Sequence, residues 1–170
     1  MLTFILPEER CRRDVLDFYR EIQEAGGECI GCGNAGDFDL WLTGMQNRCT
    51  GRNLPEGYVR ENFYLCCDGG ELIGVFSLKF ELTDFLLNYG GHIGYAVRPP
   101  PPRRMEGLGT RILAQGLDIA REFGFDRVLC ICDEDNAGSE KIIRKNGGVL
   151  EDERFDPDEN VTVRRFWITL

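Results

Sequence analysis

Histidine occurs once in the 170 residues, as His92, and no lysine is followed by serine or threonine after a glycine-rich turn. Histidine-rich metal centres and P-loop nucleotide hydrolysis therefore have no basis in the chain. No stretch approaches the roughly 20 consecutive apolar residues of a membrane span. Basic residues are also short: 20 Lys and Arg stand against 29 Asp and Glu, giving a formal net charge of -9. Such a field repels polyanions, so nucleic acid is not an expected partner and a cationic one is easier to accept. The start of the chain has only a brief apolar run before Glu8, Glu9 and Arg10, which predicts a cytoplasmic protein with no membrane partner.

Cysteine is plentiful, at 8 residues, yet its arrangement is poor for metal. Cys29-Ile30-Gly31-Cys32 has the spacing of half a zinc site, but a tetrahedral site wants a second pair. Cys66 and Cys67 are adjacent and would point to opposite faces of a strand. Reduced thiols and no bound metal are the expectation. With 42% hydrophobic and 29% charged residues, the composition is that of a globular protein, and residues 1–170 are predicted to form one domain.

Periodicity predicts a helix over Glu8 to Glu24, where Val15, Leu16, Phe18, Tyr19 and Ile22 recur at helical spacing, and a shorter one over Asp37 to Cys49. Asn62 to Cys67 and Leu72 to Phe80 are β-rich runs joined by Asp68-Gly69-Gly70-Glu71, a hairpin turn by composition. His92 to Val97 makes a third strand, stopped by Arg98 and Pro99 to Pro102. A long amphipathic helix follows, from about Met105 to Phe123, and then an apolar strand, Arg127 to Cys132. Strand, helix and strand make a parallel βαβ crossover. Asn136 to Asn146 is a further helix, Val149-Leu150 and Val161 to Leu170 are closing strands, and acidic Asp152 to Asn160 reads as a turn. The fold class is α+β: a mixed, mostly antiparallel twisted sheet with a central parallel crossover and helices on both faces.

The chemistry concentrates in Arg104-Met105-Glu106-Gly107-Leu108-Gly109-Thr110, where a strand has ended and a helix begins. The first N–H groups of a helix lack internal partners, and the helix dipole adds positive charge, so a glycine-rich entry admits a phosphate to bare backbone donors. Gly-x-Gly alone equally describes a tight turn. No third glycine stands at dinucleotide-fold spacing.

As a set, Gly91 to Gly148 resembles the core of the GNAT superfamily of N-acetyltransferases. The strand ending in Val-x-Pro, the Arg-x-x-Gly-x-Gly turn with its helix, the next strand and an Asn-x-x-Ser helix ending in Gly all have counterparts, at Val97-Arg98-Pro99, Arg104 to Gly109, Val128 to Cys132 and Asn136 to Gly147. The pattern covers about a third of the chain. A bacterial branch with segments like Asn88-Tyr89-Gly90-Gly91-His92-Ile93-Gly94-Tyr95 and Asn146-Gly147-Gly148-Val149-Leu150 is especially similar.

The resemblance implies acetyl-coenzyme A as cosubstrate, lying where the strands of His92 to Val97 and Arg127 to Cys132 splay apart, with pantetheine pairing near Val97. The pyrophosphate would rest on the N–H groups of Met105, Glu106, Gly107, Leu108, Gly109 and Thr110, helped by Arg104 and Arg103. Asn136 and Ser139 would face the pantetheine and sulfur end; a helix cap and a surface serine are the plainer accounts. Direct attack by an amine of a small molecule or peptide needs a base. His92 is the first candidate because its ordinary pKa is near neutral, although a hydrogen-bonded structural histidine is an equal reading. Glu81, past the second hairpin strand, is the second. Asp133, Glu134 and Asp135 either attract a cationic amine or merely cap the next helix.

Three departures from the family pattern stand out. Ile143 occupies the position where many members carry a proton-donating tyrosine, the Val97 to Gly107 interval is two residues longer than usual, and Glu106 sets an acid beside the phosphates. They keep a non-catalytic acyl-coenzyme A-binding module as the alternative. The acceptor amine and the oligomeric state, a homodimer included, are left open.

Overall fold

Both glycines of the Asp68 to Glu71 turn take positive φ, 60° at Gly69 and 87° at Gly70, the backbone twist that closes a two-residue hairpin. They join β2 (Glu61–Asp68) to β3 (Glu71–Lys79) in antiparallel register, with a bulge between Cys66 and Cys67. The computed structural model describes residues 2–27, 30–99 and 107–170. A four-residue strand at the start of the chain, β1 (Leu2–Ile5), lies along β2. Sequence patterning had shown only a short apolar start there, too brief to reveal alternation.

The sheet continues through β4 (Ile93–Val97), β5 (Arg127–Asp133), β6 (Val149–Asp156) and β7 (Val161–Thr169), in the order β1-β2-β3-β4-β5-β7-β6. Only β4 and β5 run parallel; the other neighbours are antiparallel, as the sequence led us to expect. The closing hairpin differs from expectation. β6 extends to Asp156, so most of the acidic stretch is strand and the turn is confined to residues 157–160. Arginines on β7 explain this: Arg164 meets Glu153 at 2.8 Å and Arg165 meets Asp152 at 2.6 Å, which neutralises acids that by composition suggest a loop.

Two helices cover each face. On one side α1 (Arg12–Glu24) buries Val15, Phe18 and Ile22, and α2 (Phe38–Thr50) buries Phe38, Trp41 and Met45 against Phe63, Leu65 and Val75. Asp37 caps α2 by accepting the Leu40 N–H. On the other side α3 (Leu108–Glu122) buries Leu108, Ile112, Leu113, Leu117 and Ala120, and α4 (Ala137–Lys145) buries Ile143. The connection after β3 contains a π-helical turn, Leu86–Gly90. Among the described residues no helix is long and apolar enough to cross a membrane.

Candidate active site

A slit in the sheet dominates the centre of the molecule. β4 is bonded along its length to β3, and β5 to β7, yet β4 and β5 share a single register pair, Ile93 with Cys130. Below that pair the slit is closed by Gly91 and His92. The His92 N–H donates to Leu129 O at 2.8 Å, and the Leu129 N–H returns to His92 Nδ1 at 2.9 Å. Gly91 takes φ 72°, and a Cβ there would sit 2.7 Å from Leu129 O, so only glycine lets the two backbones meet this closely. Beyond Ile93 the strands diverge, leaving Tyr95 to Val97 on the open side.

The first turn of α3 stands at the mouth of this slit. A Cβ on Gly109 would meet Ile142 at 2.6 Å and Val97 at 3.4 Å, so the missing side chain lets α3 pack directly on the end of β4 and on α4. Gly107, at φ 73°, precedes the helix and offers no capping side chain. The first helical bond is Arg111 N–H to Gly107 O, at 3.1 Å, which leaves the N–H groups of Leu108, Gly109 and Thr110 without an intrahelical acceptor. Asn146 ties this turn in place by donating to Thr110 O and Ile142 O. Arg103, Arg104, Met105 and Glu106 lie outside the described residues.

On the far wall, Asn136 caps α4 by accepting the Ser139 N–H at 3.0 Å, the plainer of its two expected tasks. Ser139 lies in the first turn of α4 and is half-buried. The Tyr95 hydroxyl reaches it across the slit, 2.8 Å from Ser139 Oγ and 3.3 Å from the Ser139 carbonyl. Burial pushes the Tyr95 phenol well above its ordinary range, and it pushes the neighbouring thiols up as well, Cys132 to about 11 and Cys130 to about 12.

The two residues named as bases are not at this opening. His92 is buried at the closed end, its ring edge-on to Phe125 and Trp167. Its Nδ1 lone pair already accepts from Leu129, so the neutral ring has only a donor left at Nε2. Burial, with Lys79 and Arg127 adding positive charge nearby, holds its pKa down at about 4. Glu81 is exposed and lies past the end of β3, five residues along from Phe76, the partner of Tyr95. Asp133 ends β5 and Glu134 and Asp135 form the turn before α4, all three exposed.

Three features escaped sequence reading. Tyr95 sits in a strand whose alternation gives no hint of a helix partner 44 residues away. Arg98 clamps Glu21 of α1 with two bonds of 2.6 Å and donates to Leu72 O, fixing the chain just past β4. Arg165 is 2% exposed and bonds Leu87 O, Asp152 and Glu151, which anchors the π-helical turn to β6 and β7. A single arginine after a strand and two adjacent arginines in a later strand carry no signal for either pairing.

Residues 15–149 match the model of the acetyltransferase (GNAT) domain. No curated protein sequence matches the chain. Its fold is similar to several solved structures at low identity. A ribosomal alpha-N-protein acetyltransferase in complex with coenzyme A, held there as a cysteine disulfide, is 16% identical with a TM-score of 0.71, over 99% of this chain and 94% of that one. A microcin self-immunity acetyltransferase in complex with acetyl-CoA and AMP is 15% identical, with a TM-score of 0.71 over 99% and 92%. A spermidine N-acetyltransferase chimera that includes Vibrio cholerae sequence is 17% identical, with a TM-score of 0.64 over 99% and 94%.

Proposed function

Because the chain belongs to the GNAT acetyltransferase family, we propose that it transfers the acetyl group of acetyl-coenzyme A to a primary amine of a small molecule or peptide. The observation that carries this reading is the slit with a helix start at its mouth whose first N–H groups lack an intrahelical acceptor. A diphosphate fits the N–H groups of Leu108, Gly109 and Thr110, and the open edge of β4 near Val97 offers backbone groups to the amides of pantetheine. Arg103 and Arg104 add the charge such a ligand needs. The described relatives are named as acting on a protein amino terminus and on spermidine, and two of them hold coenzyme A or its acetyl form. Amine acceptors in this chain extend that pattern.

In the reaction the amine nitrogen attacks the thioester carbonyl, a C–N bond forms, and the C–S bond breaks with its electron pair going to sulfur. Asn136 and Ser139 border the path of the pantetheine and sulfur end. His92 holds β4 against β5 and thereby sets where the slit begins. With its acceptor nitrogen engaged, it serves the reaction as a brace, and the amine gives up its proton to solvent on the acceptor side.

Gly107→Asp tests the site without emptying the core. Among the described residues nothing lies within 4 Å of a Cβ at this position, and a carboxylate before a helix favours the fold while repelling a diphosphate. The positive φ costs about 1 kcal/mol. Acetyl-coenzyme A should raise the melting temperature of the wild type, and its Kd should increase at least tenfold in the variant. Equal stabilisation of both proteins would place the cofactor elsewhere. Binding with no thioester consumption, across a panel of amines, would favour the acyl-coenzyme A-binding module instead.

A further inference from the structure

The contact between Tyr95 and Ser139 crosses the slit from one wall to the other. Tyr95 stands on the diverging part of β4, two residues past the only register pair with β5, and Ser139 opens α4 just after β5 ends. Any thioester lying in the slit therefore passes this pair. Ile143, one helical turn beyond Ser139 on the same face of α4, is fully buried hydrocarbon and has no proton to give.

We propose that Tyr95 protonates the departing thiolate and that Ser139 passes it a replacement proton from water; this rests on the acetyl-transfer reading above. The donor count permits it. A phenol has one O–H and a serine one O–H, with lone pairs on both oxygens. When Ser139 Oγ–H donates to the phenol oxygen, the Tyr95 proton is left for the Ser139 carbonyl, 3.3 Å away, or for a better acceptor that arrives. A sulfur gaining an electron pair is that acceptor. The step balances: the C–S bond breaks, the phenol proton bonds to sulfur as coenzyme A thiol, and Ser139 hands its proton to the phenolate and takes one from solvent. Residues 137 and 138 beside Ser139 are exposed, which gives water access to the serine.

The burial that keeps Tyr95 protonated also holds the Cys132 thiol at about 11, so a thiolate formed beside it is far more basic than in water. Donor and acceptor rise together, so the phenol holds its proton until a thiolate forms beside it.

Hydroxylamine is a suitable probe because it is an unprotonated nucleophile at neutral pH and isolates departure of the thiol from activation of the amine. Loss of thioester absorbance from acetyl-coenzyme A with hydroxylamine would be followed in the wild type, Tyr95→Phe, Ser139→Ala and the double variant. Tyr95→Phe should lose about 100-fold in kcat, with KM for acetyl-coenzyme A changed less than threefold. Ser139→Ala should lose about tenfold, and the double variant should be no slower than Tyr95→Phe, as expected of one chain of transfers. The solvent isotope effect on kcat should shrink with Tyr95→Phe. A bond that merely closes the slit would alter KM and leave kcat and its isotope effect in place, and that result overturns the proposal. Wild-type protein that binds acetyl-coenzyme A but consumes none with any amine overturns the acetyl-transfer reading first, and the proton donor with it.

Discussion

His92 illustrates how little a residue's ordinary chemistry says about its task once neighbours are fixed. A lone histidine near a cleft suggests a base, but the Leu129 N–H occupies its acceptor and burial favours the neutral ring. That shift has a consequence for stability. The folded protein resists protonating His92 until about pH 4, whereas the unfolded chain takes up the proton near 6.5. The contribution is complete above 6.5 and is lost as pH falls through that interval toward 4, by up to about 3 kcal/mol. Urea unfolding at pH 7 and at pH 4.5 should show this loss, and His92→Gln should flatten the slope while lowering stability at pH 7. An equal slope in both proteins would assign the effect to other groups.

At the scale of elements, long periodic segments were readable and short or compensated ones were not. The amphipathic stripe of α3 and the unbroken apolar run of β5 declared themselves, because burying one face or two leaves a distinct pattern. β1 has four residues, too few for a period, and β6 is acidic because β7 supplies the arginines. The slit was legible only through a family resemblance, since no local rule says that two parallel strands will pair once and part. Tyr95 was not legible at all: its partner is set by how α4 docks. Packing at α3 also explains a glycine that helix propensity disfavours. A Cβ on Gly116 would lie 2.1 Å from the Phe76 ring, which is fully buried. Gly116→Ala should therefore destabilise the protein by about 2 kcal/mol despite the better helix former. Phe76→Leu in the same protein should recover part of that loss in a denaturant titration; additive losses would show that the ring is not the obstacle.

For the whole molecule, the two helical layers communicate through the end of β4. Arg98 reaches from the strand to Glu21 on α1, and its guanidinium holds the Glu21 carboxyl below the usual range. The pair is mostly shielded, with side chains 23% and 28% exposed, so it exceeds the value of a surface ion pair. Breaking it frees the backbone beside Val97, where the cofactor's arm is proposed to lie. Arg98→Met and Glu21→Gln should each raise KM for acetyl-coenzyme A several-fold with about 1 kcal/mol lost in stability, and combining them should add little. Unchanged KM in both single variants would confine the pair to a structural task.

Sheets usually resist shear because every strand is fastened along its length, but this one behaves as two plates riveted at a point. Gly91 is the washer of that rivet: a methyl group there would act as a wedge against Leu129 O and prise the plates apart. The width of the opening is thus held from its closed end, by a residue that stands outside it.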